Sequence, residues 1–139
     1  MATDSGHDDF DWVSAQAGCA VDLMFRRLRD GARKDVDRRN ASGFGRDDRW
    51  TFKLHEDGEN NFEITRDAPG GSTLAFVAFE REGPRINVTS EGTEVQFTAI
   101  VNINPAGDCR FFVGEHEYLA WEVRKMALEA LFFEQPEEE

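Results

Sequence analysis

Lysine, cysteine, proline and long apolar runs are all scarce in this chain, and each shortage excludes something. Only two of the 139 residues are cysteine, Cys19 and Cys109, so the chain is no disulfide-dense scaffold. A chain of this length needs none, because it buries roughly two thirds of the surface that it exposes when unfolded. Each cysteine sits among apolar residues in an amphipathic segment, and free cysteine is commonly a small buried hydrophobe. Both are expected to be reduced. Four prolines and no low-complexity stretch leave no sign of a linker. Residues 1–139 therefore read as one domain, with a polar, disordered N-terminus over 1–9 and an acidic tail over 134–139. No apolar run approaches the roughly 18 residues of a membrane span, and no basic-then-apolar leader opens the sequence. The expectation is an unexported, cytoplasmic protein without membrane contact.

Lysine occurs at Lys34, Lys53 and Lys125 alone, and arginine supplies the other basic residues. Sixteen basic residues stand against 28 acidic ones, a net charge of −12. A field of that sign repels phosphate backbones and anionic membranes at long range and keeps a protein in solution. Nucleic acid is not an expected partner.

Signatures of catalysis are missing too. There is no His-x-x-x-His or Cys-x-x-Cys spacing to hold a metal, and no Gly-x-Ser-x-Gly. The glycine-rich segment Ser42-Gly43-Phe44-Gly45-Arg46 follows a helical pattern and precedes a strand, the reverse of a phosphate-cradling loop. Cys109 and His116 would suit a thiolate pair, but Cys109 has the core-facing parity of Phe111 and Val113. The reading leans to a non-enzymatic protein without metal or cofactor.

What is present is aromatic and strongly periodic. Twelve phenylalanines and three tryptophans place the chain among folded domains. From Phe10 to Arg39, Ala17, Val21, Met24, Phe25, Leu28, Ala32 and Val36 fall on one face of a helix. Asp9 or Asp11 is the N-cap candidate. Gly31 inside it weakens the helix by about 1 kcal/mol relative to alanine. Residues 40–49 read as a loop. From Trp50 the period becomes two, and six strands follow, separated by turns such as Asp57-Gly58, Gly83-Pro84 and Glu91-Gly92. Leu74 to Phe79 is apolar on both sides and reads as a central strand. Phe52, Phe62, Phe76, Phe97 and Phe111 are placed on the inner face. The short connections allow only antiparallel neighbours. A second helix is expected from Glu115 to Phe133, with Leu119, Val123, Met126, Ala127, Ala130, Leu131 and Phe133 on its apolar face. The fold class is therefore α+β: an N-terminal helix, a six-stranded antiparallel β-meander forming a curled sheet, and a C-terminal helix packed on its concave face. This order of elements is similar in layout to pleckstrin-homology-like folds, where a C-terminal helix caps a bent meander.

Both helices carry more apolar surface than one sheet contact requires. Trp121, Leu128 and Phe132 form a second stripe on the last helix, set off by Arg124. Trp12, Cys19 and Leu23 form one on the first. These six are the candidate interface, since an apolar patch containing two tryptophans marks a contact site. Arg26, Arg29, Arg33 and Arg38 crowd the other half of the first helix and are the candidate anion- or partner-binding residues, because the guanidinium fork matches carboxylate and phosphate. The expected function is protein binding as an adaptor, through self-association as a homodimer or another protein. The alternative is a small-molecule ligand, lipid-like or aromatic, in a pocket between the sheet and the C-terminal helix.

Overall fold

The change from a helical to a two-residue period at Trp50 marks the main architectural boundary of the chain. A computed structural model describes residues 9–42 and 50–134. The expected disordered start, most of the 40–49 loop and the acidic tail beyond Glu134 lie outside the described residues. Helices α1 (Trp12–Gly18) and α2 (Val21–Ser42) come first. Strands β1 (Thr51–Glu56), β2 (Asn61–Asp67), β3 (Thr73–Glu82), β4 (Arg85–Glu91), β5 (Phe97–Ile103), β6 (Cys109–Val113) and β7 (His116–Tyr118) follow, and α3 (Ala120–Phe133) is last. The strands form one antiparallel sheet in sequential order, β1 to β7, which is not closed. The α+β class, the antiparallel meander and the C-terminal helix packed on it are as the pattern predicts. The strand count is seven rather than six.

Three boundaries differ from expectation. The single helix over Phe10–Arg39 is two helices. Asp11 caps α1, its carboxylate accepting from the Ser14 amide at 3.0 Å and the Ser14 hydroxyl at 2.7 Å. The chain then leaves helical geometry at Cys19, where that residue meets Cys109 of β6. Helix α2 runs on to Ser42, past the expected end. The last helix starts at Ala120 instead of Glu115, because Gly114 turns at φ +63 and Val113 pairs with His116 to open β7. Glu122 fixes the new start: its carboxylate accepts the Leu119 amide at 2.7 Å, satisfying one of the amides that a helix leaves unpaired at its start.

The two cysteines are joined in a disulfide, with Cα atoms 5.3 Å apart across a sequence separation of 90. This overturns the expectation of reduced thiols. The clasp ties the α1–α2 junction to the start of β6. It also removes the Cys109 thiolate that a Cys–His pair would need. Helix α1 buries no residue of its own; besides the clasp, Gln16 donates to Asn102 of β5 at 3.2 Å.

One face of the sheet carries the core. Phe52, Phe62, Ile64, Ala75, Val77, Phe79, Ile86, Val88, Ala99, Val101 and Phe111 are buried there, and Phe25, Leu28, Ala32 and Val36 of α2 join Val123, Ala127 and Leu131 of α3 in the same core. Phe62 and Phe79 are register partners and stack at 4.5 Å, with Phe25 at 5.3 Å from Phe62. Phe52 meets Phe132 edge-on at 5.0 Å. Phe76, expected inside, is only half-buried, on the opposite parity from buried Ala75, Val77 and Phe79. An all-apolar run hides its own period, so the parity of β3 could not be read locally. Of the five phenylalanines placed on the inner face, Phe52 and Phe62 pack ring to ring, Phe111 is fully buried, and Phe97 is half-buried against the core on the parity of Ala99.

Gly92 shows what holds β3 and β4 close. It sits at φ +86, and a Cβ there would stand 2.5 Å from the Ala75 Cβ. A larger residue meets both backbone strain and collision. Gly31 has a different reason to exist. A Cβ at Gly31 would lie 2.5 Å from an Arg124 guanidinium nitrogen, so the glycine that weakens α2 opens the path by which Arg124 of α3 reaches Asp35, Nε to Oδ2 at 2.6 Å.

Candidate ligand-binding cleft

Helices α2 and α3 run side by side in the same direction. Gly31 and Asp35 meet Arg124 near the middle, and Arg39 meets Phe132 near the end. Their outer surfaces diverge into a cleft of about 590 Å³, within the range of roughly 300–1,000 Å³ typical of small-molecule sites. Trp121, Leu128, Phe132 and Phe133 supply its apolar wall, and Arg38, Arg39, Arg124 and Lys125 stand around it with Asp35 and Glu129.

The end of α3 is held by two buried arginines, of which Arg39 lines the cleft. Arg39 is 7% exposed and Arg66 is 4% exposed. Arg39 Nε donates to the Phe132 carbonyl at 2.8 Å. Arg66 Nη1 donates to the carbonyls of Leu131 at 3.0 Å and Glu134 at 3.1 Å. A helix leaves its last four carbonyls unpaired and concentrates negative potential there, so the two guanidiniums close the C-terminus of α3. Each also lies over aromatic rings: Arg39 is 5.0 Å from the Phe52 centroid and 5.3 Å from that of Phe133, and Arg66 is 4.2 Å from that of Trp50. Desolvation pulls the Arg39 pKa below its ordinary value.

Of the six interface candidates, Trp121, Leu128 and Phe132 come together in the cleft, but unequally. Trp121 is 54% exposed, whereas Leu128 and Phe132 are core residues with only an edge on the cleft. The packing of α3 covers Leu128 and Phe132 and leaves Trp121 open, so the three do not form one exposed stripe. Trp12, Cys19 and Leu23 are not assembled into a stripe. The break at Cys19 turns α1 away from the line of α2, Cys19 is consumed in the disulfide, Leu23 is half-buried, and Trp12 stands 59% exposed on α1. Trp12 does not line the cleft.

The four candidate arginines separate as well. Arg29 and Arg33 both pair with Glu56 at the end of β1, Arg29 at 3.6 Å, and Arg29 also meets Asp30 at 3.3 Å. Arg38 meets Asp35 at 3.5 Å and reaches the cleft. Arg26 lines another hollow with Asp22, Glu59 and Arg81, where charges of both signs alternate. Neither Arg39 nor Arg66 is among the four arginines that the sequence pattern singles out. A signal for Arg39 was present: it continues the buried line Ala32, Val36 at helical spacing, which places a cation on the core face.

Among the described residues no group of His, Cys, Asp and Glu is placed to hold a metal ion, and no helix is long and apolar enough to cross a membrane. His55 and His116 are both exposed, His55 with Nε2 at 3.3 Å from the Thr65 hydroxyl. In comparisons with known proteins, the chain matches no family model, no curated protein and no solved structure.

Proposed function

We propose that the protein is a non-enzymatic binding domain whose ligand site is the cleft between α2 and α3. One observation carries this reading: an apolar recess of about 590 Å³ is flanked by Trp121 and Phe133, each about half exposed, on a protein whose sheet-to-helix layer is filled with aromatic rings. A small apolar molecule, or an apolar group of a larger one, covers those rings and gains the burial that the core does not supply. The site differs in place from a pocket under the C-terminal helix; it lies on the outer side of that helix, against α2. A neutral fluorescent probe, N-phenyl-1-naphthylamine, tests it. Saturable binding is expected, and loss of that binding in the Trp121→Ser, Phe133→Ser double variant. Absence of saturable binding, or equal binding by the variant, refutes the site.

Self-association is a second reading, favoured by a different patch. Phe10, Trp12 and Val13 are all largely exposed around α1, a helix that contributes no residue to the core. Such a patch suits a protein contact. Sedimentation of the Trp12→Ser, Val13→Ser variant beside the parent chain tests it, with a mass shift from dimer to monomer expected. A parent chain that sediments as a monomer across the concentration range removes it. The Cys19–Cys109 clasp weighs against the cytoplasmic expectation, since glutathione and thioredoxin keep thiols reduced there.

A further inference from the structure

The cleft is chemically lopsided. Its wall is aromatic and aliphatic, yet four cations stand around it, Arg38, Arg39, Arg124 and Lys125, against the two carboxylates of Asp35 and Glu129. Two of the cations are matched within the cleft: Arg124 by Asp35 at 2.6 Å and Lys125 by Glu129 at 2.9 Å. Arg38 shares the same Asp35 at 3.5 Å. Among the described residues the Arg39 guanidinium has no carboxylate within 4.0 Å, and its one hydrogen bond runs from Nε to a backbone carbonyl. A guanidinium has five N–H donors, and a buried charge is costly unless it is paired and hydrogen-bonded. The parallel C-termini of α2 and α3 contribute negative potential, about half a charge each. That offsets part of the excess and leaves the cleft positive in a protein of net charge −12.

We infer that the ligand of this cleft is an amphipathic carboxylate: an apolar body laid against Trp121, Leu128, Phe132 and Phe133, with its carboxylate received by Arg39 and Arg38. The inference rests on the cleft being the binding site and adds the charge and chemical class of its occupant. The acidic remainder of the surface repels the same anion elsewhere, so binding is confined to this place. The apolar body supplies most of the affinity through burial. The charge-assisted bonds to guanidinium supply the preference for carboxylate over an uncharged head.

Three probes with one tail and different heads separate the cases: decanoate, decanol and decyltrimethylammonium, titrated calorimetrically below their aggregation limits against the full chain. Decanoate is expected to bind about ten- to a hundredfold more tightly than decanol, the span of a hydrogen bond to a charged group, and the cationic probe more weakly than both. In Arg38→Met, an exposed position, the preference is expected to fall by several-fold. In Arg39→Met it is expected to vanish, and circular dichroism reports whether that variant still folds; the three-probe series on the parent chain stands without it. Equal binding of decanoate and decanol overturns the carboxylate inference and leaves the apolar cleft in place. Tighter binding of the cationic probe overturns it as well. No binding by any of the three, with no binding of the neutral naphthylamine, overturns the cleft itself.

Discussion

Reduction of the Cys19–Cys109 bond perturbs the protein at one defined point, and the size of the effect follows from the separation of 90 residues that the bond closes. In the chain-entropy description, closing a loop of that length lowers the entropy of the unfolded state by an amount worth about 4.6 kcal/mol at 25 °C. Unfolding entropy of about 2.1 cal/mol/K per residue gives this chain roughly 0.29 kcal/mol/K at its midpoint, so losing the bond corresponds to a fall in Tm of about 16 °C. Loss should also be uneven across the molecule. Helix α1 buries nothing of its own, and once untied it is held only by contacts such as Gln16 to Asn102. Thermal melts followed by circular dichroism, on the parent chain with and without a phosphine reductant and on the Cys19→Ser, Cys109→Ser variant, measure the first effect. Amide hydrogen exchange over residues 12–18 measures the second. The variant and the reduced parent are expected to melt together, with α1 amides unprotected in both. A fall of less than about 5 °C, a reductant effect that persists in the double variant, or an intact mass showing two free thiols in the untreated protein refutes the clasp.

Four other outcomes follow from the packing. Leu128→Ala should cost about 2–5 kcal/mol in urea unfolding, as deletions in a close-packed core do, while Trp121→Ala should stay within about 0.5 kcal/mol and yet lose the apolar probe; similar costs for both would contradict the burial difference. Arg66→Met leaves the Leu131 and Glu134 carbonyls without that donor and should destabilise by about 2–3 kcal/mol, with fraying at the end of α3 visible by hydrogen exchange. Bonds from Ser14 hold the Asp11 carboxyl below its usual range; a lowered folded-state pKa stabilises above the ordinary carboxylate value and is lost as pH falls through the lowered one, so helical NMR shifts of residues 12–18 should decay below about pH 4 before the sheet unfolds, and should be weak at all pH values in Asp11→Ala. Raising salt from about 0.1 to 1 M shortens the Debye length from about 10 to 3 Å and relieves self-repulsion at net charge −12, so Tm should rise; a fall would mean that the surface ion pairs outweigh the excess charge.

Much of the fold was legible because it is local. The two-residue alternation of Trp50, Phe52 and Leu54, the turn at Asp57-Gly58, and the buried line Met24, Leu28, Ala32 on α2 are consequences of side-chain direction within a few residues, which the order of amino acids states outright. Short turns between strands then left an antiparallel meander as the one arrangement the connections could reach. The candidate site was legible only in part. Trp121, Leu128 and Phe132 were singled out by spacing, but spacing cannot say which side of a helix a neighbour covers.

The amino-acid order therefore determined which elements form, their sequence and their apolar faces, along with the acidic charge and the shortage of lysine. Tertiary structure decided what depends on residues distant along the chain. It paired Cys19 with Cys109 and broke the first helix there. It chose Ala75, Val77 and Phe79 over Phe76 as the inward parity of an all-apolar strand. It drew Arg39 and Arg66 onto the carbonyl end of α3, where the helix dipole and the unpaired carbonyls compensate part of their burial. It set α2 against α3 so that one stripe became a cleft and the other was dispersed. Each of these is a contact across tens of residues, and its energy comes from the packing partner, which no local period encodes.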